Sequence, residues 1–126
     1  MKKDIKIIAE IAQGFEGNFT QSKLLIKAAA KAGADSVKFQ LVYAEELSTN
    51  DYKYFKLFKN LEMKESKWKQ LKGYAISLGL KLIFDVFGEI GLKTAENIGI
   101  DTIKVHGTDI TNLALLKGIE MSKINE

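Results

Sequence analysis

Apolar and polar positions along this chain change period several times, and each change marks an element. IKIIAEI (5–11) alternates with a period of two, as a half-buried strand does. TQSKLLIKAAAKAGA (20–34) follows the helical period, with Leu24, Leu25, Ala28 and Ala32 near one face and Gly33 as its stop. DSVKFQL (35–41) reads as the second strand. VYAEELSTNDYKYFKLFKN (42–60) is a long, partly helical connection, aromatic at Tyr52, Tyr54, Phe55 and Phe58. MKESKWKQLKGYAISLG (63–79) predicts a helix through Trp68, Leu71, Tyr74, Ala75 and Leu78, with Gly79 as its C-cap. LKLIFDV (80–86) is a third strand, GEIGLKTAENIG (88–99) a short helix and DTIKVH (101–106) a fourth strand. A last helix starts at Thr111 or Asn112, both good N-caps.

The order is therefore βαβαβαβα, and KAGADSVKFQ and NIGIDTIKVH repeat one helix–Gly–Asp–strand turn. Repeated βα units predict an α/β fold with parallel strands joined by right-handed crossovers. A doubly wound sheet is one solution. The other is a TIM-type (β/α)8 barrel, which needs about 250 residues. The 126 residues are then a single partial barrel domain, the first half of about four βα units.

Composition narrows the function classes. With 46% hydrophobic and 28% charged residues the chain can bury a core as one domain. All 19 basic residues are Lys, scattered among 16 acidic ones, which argues against a nucleic-acid surface. Phosphates or carboxylates must then be held by Lys, hydroxyls or backbone N–H groups. The absence of Cys excludes disulfides, thiolate metal sites and a cysteine nucleophile. Asp4, Lys6 and Glu10 interrupt the N-terminal apolar stretch, and no later run approaches membrane-spanning length. The expectation is a soluble cytoplasmic protein without membrane or nucleic-acid partners.

Candidate chemistry sits at the far ends of the strands. Alternation puts Glu10, Lys38, Asp85 and Lys104 on the same faces as Ile8, Ser36, Ile83 and Thr102. Charges on a face that should be core must pair, lose their charge or contact a ligand. Two readings stay open: a buried network of structural ion pairs, or a site for an anionic substrate.

AEIAQGFEG (9–17), AAAKAGADSVKFQLVYAEEL (28–47), LEMKESKWKQL (61–71) and IDTIKVHGTDITNLALL (100–116) resemble, in order and spacing, the opening half of the sialic acid (N-acetylneuraminate) synthase family. Those enzymes condense phosphoenolpyruvate (PEP) with N-acetylmannosamine or a related amino sugar. The resemblance implies that Glu10 lies near the reacting carbon and the sugar. It implies that Lys38 and Lys104 hold PEP and that Gln40 faces the substrates. Asp109 falls where relatives carry a sugar-contacting glutamate. Gly107 replaces a phosphate-binding serine, and Thr108 is the candidate substitute. Phe15 and Asp85 stand where His and Thr are commoner, and an Asp beside a phosphate repels it unless a Lys pairs with it.

The resemblance also implies a divalent metal, Mn or Mg, that polarises the aldehyde. Its two histidine ligands belong to a second half that these residues do not include, so no metal site is assignable here. An antifreeze-like C-terminal domain is likewise expected to be absent. His106 reads as a hydrogen-bonded residue of the mouth rather than a ligand. Gly14 and Gly17 read as a tight βα turn. The aromatic 52–58 stretch is either packing or a loop over the substrate. Open strand edges predict pairing with a second copy, giving a homodimer, or with a complementing C-terminal half.

Overall fold

A computed structural model describes residues 5–124. Four parallel strands, β1 (Ile8–Ala12), β2 (Ser36–Gln40), β3 (Lys81–Val86) and β4 (Ile103–Val105), lie in the sheet in chain order. Between and after them run α1 (Phe19–Lys31), α2 (Ala44–Leu47), α3 (Phe55–Leu61), α4 (Glu65–Ser77), α5 (Glu89–Ile98) and α6 (Leu113–Met121). A doubly wound sheet reverses its strand order at a switch point, whereas right-handed crossovers that always step the same way leave every helix on one side. The order β1-β2-β3-β4 is the second case, half of a barrel.

Burial confirms the one-sided arrangement. Val37, Phe39, Leu82, Phe84 and Val86 share a single core with Ile26 of α1, Trp68 and Leu71 of α4, Leu92 of α5 and Leu115 of α6. At its centre the Trp68 ring packs edge-on to Phe15, Phe39 and Phe84, at centroid distances of 5.3, 5.5 and 5.0 Å. Each such fully buried ring contributes about 1.5–3 kcal/mol by area alone. The opposite, inner face carries the alternate residues of each strand.

Helix boundaries follow local chemistry. Asn18 caps α1, its Oδ1 accepting from the Gln21 N–H at 2.9 Å, and Asn112 caps α6 by accepting from Leu115 N–H at 3.2 Å. Gly33 and Gly99 take left-handed φ of +82° and +76° in the two turns that the repeated phrase predicts.

Three expectations change. The first strand begins at Ile8 rather than Ile5 and runs on through Ala12. The buried face of α1 is Ser22, Ile26 and Ala29, while Leu24 is 62% exposed and Ala28 and Ala32 also face solvent. Ser22 is tolerated inside because its hydroxyl donates to Asn18 O at 2.8 Å. Finally, a 3-10 turn at Gly107–Asp109 separates β4 from α6. The 42–60 connection is helical twice, at α2 and α3, as its mixed pattern predicts.

Candidate functional site

Strand register sorts the inner-face residues into two rows. Glu10, Lys38 and Ile83 are Cα partners across β1, β2 and β3. One step toward the C-terminal ends, Gln40, Asp85 and Lys104 are partners across β2, β3 and β4. Barrel interiors are built from such layers, and the C-terminal end of the strands is where barrel enzymes place their chemistry.

Each lysine is matched to a carboxylate on the neighbouring strand. Lys38 Nζ is 2.7 Å from Glu10 Oε2, and Lys104 Nζ is 2.9 Å from Asp85 Oδ2. The pairs differ in burial. Lys38 is 15% exposed and Glu10 48%, whereas Asp85 is 1% exposed behind a Lys104 that is 42% exposed. Lys104 and Glu10 therefore face solvent, while Lys38 and Asp85 lie largely covered beside them.

A bulge fixes the rim of β1. The register slips between Glu10 and Ala12, and Ala12 adopts φ of +51°, a left-handed conformation that an alanine takes at a cost of about 1–2 kcal/mol. The slip lets Ala12 N–H donate to Glu10 Oε1 at 3.0 Å, so both carboxylate oxygens are held. It also turns Gln13 inward, where its Nε2 donates to Gln40 Oε1 at 2.8 Å. Gln13 is a site neighbour that the sequence reading missed, because a bulge at a non-glycine residue leaves no compositional mark.

The remaining candidates form a separate cluster on the 3-10 turn. Thr108 N–H donates to His106 Nδ1 at 3.4 Å, and the Thr108 hydroxyl lies 3.1 Å from the same nitrogen and 3.4 Å from Asp109 Oδ2. Asp109 Oδ1 accepts from Asn112 Nδ2 at 3.1 Å, which orients its carboxylate from the N-cap of α6. The His106 ring lies against Phe87 at 5.2 Å. Among the described residues no hydrogen bond or ion pair joins this cluster to the rows. Phe15 belongs to neither: fully buried on the helix side, it faces away from the rows.

Glu46 adds a second carboxylate near Asp109. Its Oε1 accepts from Ile90 N–H at 2.5 Å and from Gly91 N–H at 3.4 Å, capping α5 and tying the segment after β2 to it. Burial raises the Glu46 carboxyl above its ordinary range, and the charges of Asp109 and Glu89 push the same way, against the two N–H donors. A concavity of about 670 Å³ lies beside it along residues 45–50 and Phe55. Glu45 and Glu46 line it, which disfavours an anion there.

The donor set does not make a metal centre. Among the described residues no group of three or more His, Cys, Asp or Glu side chains stands close enough to hold an ion. His106, the one histidine of the sequence, already engages Thr108. The chemistry open to these residues is binding, orientation and proton handling. Among the described residues no helix is long and apolar enough to cross a membrane.

Comparison with known proteins places this arrangement in a family context. The model of the NeuB family matches residues 25–124. An uncharacterised protein of Methanocaldococcus jannaschii is 31% identical over 113 residues, 90% of this chain and 34% of that protein. The N,N'-diacetyllegionaminic acid synthase of Legionella pneumophila is 28% identical over 94% of this chain and 37% of its own length. A crystal structure of N-acetylneuraminic acid (sialic acid) synthetase from Leptospira borgpetersenii, in complex with citrate, superposes with a TM-score of 0.87 at 26% identity. That superposition covers 93% of this chain and 41% of the other. The chain thus spans about a third to two fifths of the length of the proteins it matches.

Proposed function

The chain belongs to the NeuB family, and from that premise we propose that it supplies the PEP-holding part of a sugar-acid synthase. In this reading PEP condenses with N-acetylmannosamine or a related amino sugar to give a nonulosonic acid. The carbon–carbon bond forms between the enol carbon and the sugar aldehyde, and phosphate leaves as water adds.

One observation carries the reading: Lys38 and Lys104 project from the same inner face in adjoining rows at the strand ends. PEP carries about three negative charges, and a partly dry mouth strengthens the pull of two ammonium groups on it. Holding PEP there fixes its reactive carbon relative to the aldehyde, which is the largest contribution that positioning residues make. Glu10, pinned by Lys38 and the Ala12 N–H, is set toward the reacting carbon and the sugar. Gln40 faces the substrates with Gln13 behind it. Asp109 and Thr108 are the sugar and phosphate contacts contributed by the 3-10 turn. A divalent metal, with its ligands outside this chain, is part of the proposed whole enzyme.

Open edges at β1 and β4 are proposed to pair with further barrel strands, from a second copy or a complementing half.

A second reading has its own support. Both lysines are already matched to carboxylates, as they are in a purely structural network, which favours a non-catalytic half-barrel or interaction module. Calorimetric titration of PEP, with and without Mn2+, separates the two. Binding that Lys38→Ala and Lys104→Ala abolish supports the synthase. Failure to bind, with a complementing half supplied and the chain folded, supports the module. Turnover with a different aldehyde identifies another PEP-condensing sugar-acid synthase.

A further inference from the structure

Of the four charges in the rows, the two half-exposed ones stand on opposite edges of the sheet and carry opposite signs. Glu10 on β1 is 48% exposed and Lys104 on β4 is 42% exposed, whereas Lys38 on β2 and Asp85 on β3 are 15% and 1% exposed. Each edge charge holds a partner on the strand inside it, and among the described residues β1 and β4 pair with no strand outside. From β1 to β4 the signs run negative, positive, negative, positive. That alternation continues without a like-charge contact only where another β1 follows β4.

We propose that two copies of this chain close one eight-stranded barrel about a two-fold axis, β4 of each copy pairing in parallel with β1 of the other. One mouth then holds Lys38 and Lys104 from both copies. The inference rests on the PEP reading for what the mouth binds, and it names a second copy as the partner that completes the site. A sheet whose strand order advances one way with every helix outside is half of such a circuit. A two-fold contact satisfies both edges of both copies at once and stops there, whereas a head-to-tail contact that does not close grows without limit.

Barrel geometry fixes the register of the seam. The Glu10–Lys38–Ile83 row meets β4 two residues before Lys104, at Thr102, because Asp85 is the partner of Lys104. A barrel of this type advances about eight residues per circuit, or about four per copy. Lys104 then falls beside Ile8 of the second copy, with Glu10 two residues further along on the same face. Such diagonal neighbours lie about 7–8 Å apart at Cα, within reach of two long side chains. Lys104 also stands two strands from Lys38 of the second copy, the same separation as from Lys38 of its own chain. Below the charges the inner face is hollow: Ile8, Ser36, Ile83 and Thr102 are among the residues lining a concavity of about 450 Å³. Closed barrels fill that interior with layers of side chains, and the same residues of the second copy supply the facing half.

The test starts with sedimentation of the unsubstituted protein up to about 100 μM, where a dimer and nothing larger is expected. The sequence has no Cys, so Ala9→Cys with Val105→Cys reports the seam. These positions lie on opposite edge strands of one copy but become neighbours between copies, at a Cα separation that a disulfide spans. Oxidation should give covalent dimers only; should this variant not fold, sedimentation and the following mixture decide. Lys38→Ala and Lys104→Ala, each alone, leave lysines only on opposite sides of the mouth and should lose PEP binding. Refolded together in equal amounts, about half of the dimers set Lys104 of one copy near Lys38 of the other and should regain it. A folded monomer at about 100 μM, a ladder of larger cross-linked species, or a mixture that regains none of the binding of the unsubstituted protein overturns the shared barrel. PEP binding by such a monomer, lost in either lysine variant, then leaves the synthase reading standing. Cross-linked dimers of a protein that binds no PEP keep the barrel and overturn the synthase reading.

Discussion

Lys38 and Glu10 are register partners on adjacent parallel strands, and their charged ends meet at 2.7 Å on the inner face. The contact joins a mostly covered ammonium, 15% exposed, to a carboxylate that is 48% exposed. An ion pair so open on one side contributes little to stability, about 1 kcal/mol or less, because solvent screens it and two long side chains lose freedom in making it. Its worth lies in placing the ammonium.

Lys38→Ala should therefore separate binding from folding. Loss of a charge-assisted contact to PEP is worth about 1.5–3 kcal/mol, a weakening of about ten- to a hundredfold. The urea midpoint should shift by no more than about 1 kcal/mol equivalent. Titration calorimetry and urea unfolding on the same samples test both halves. Unchanged PEP affinity, or a collapse of stability with it, makes Lys38 a structural residue.

Phe15 tests the opposite dissociation. Fully buried against Phe39 and Trp68 at 5.5 and 5.3 Å, it belongs to the core, at a position where the resemblance makes His commoner. Phe15→His places a polar ring where nothing apolar can satisfy it and should cost about 1–3 kcal/mol with no gain in ligand affinity. Trp68→Ala, at the centre of the same cluster, should cost about 3–5 kcal/mol. Urea denaturation followed by near-UV circular dichroism measures both. A Phe15→His protein of unchanged stability disproves the core assignment.

How far the sequence foretold these outcomes depended on the physics at each residue. The two rows were legible because Lys38, Asp85 and Lys104 interrupt apolar strands at alternate positions, and register then has little freedom. One-sided winding was not legible in the local pattern, which half-barrel and doubly wound sheets share, but the resemblance implied it and the strand order bears it out. The face of α1 was misread because hydrophobicity ranks Leu24 above Ser22, whereas a hydroxyl bonded to Asn18 O can be buried at little cost. The β1 bulge, and with it the Gln13–Gln40 contact, depends on a left-handed alanine that no propensity favours.

Glu46 makes the stability of the α2–α5 junction depend on pH. Burial raises its carboxyl above the ordinary 4.5, so the folded state binds this proton more tightly than the unfolded chain. The contribution is present below the unfolded value and is lost as pH rises through the folded one. In thermal melts, the unsubstituted protein should lose a stability increment across that window that Glu46→Gln retains. Glu46→Ala strips the acceptor from Ile90 and Gly91 and should cost about 1 kcal/mol. A methyl at Gly88 would lie 2.5 Å from Glu46 Oε1, so Gly88→Ala should push the cap aside. The double variant should then be no worse than Glu46→Ala alone, and full additivity in the double-mutant cycle rejects the cap.

The edges of the sheet supply the last test. Among the described residues β1 and β4 each pair with a strand on one side only, and exposed aliphatic residues stand at and just before β1, Ile5, Ile7 and Ile8 at 68%, 57% and 49%, and beyond β4 in the chain, Ile110 and Leu113 at 73% and 68%. Open edges flanked by exposed aliphatic residues recruit further strands. The 126-residue chain should sediment as a dimer or larger species, and Ile110→Lys with Leu113→Lys should shift it toward monomer by setting like charges at the contact. Adding a complementing half should compete with self-association, because both call on the same edges. A cooperatively folded monomer at about 100 μM, unaffected by the lysine substitutions, would show instead that these edges are closed to partners and that the inner-face rows must work without neighbouring strands.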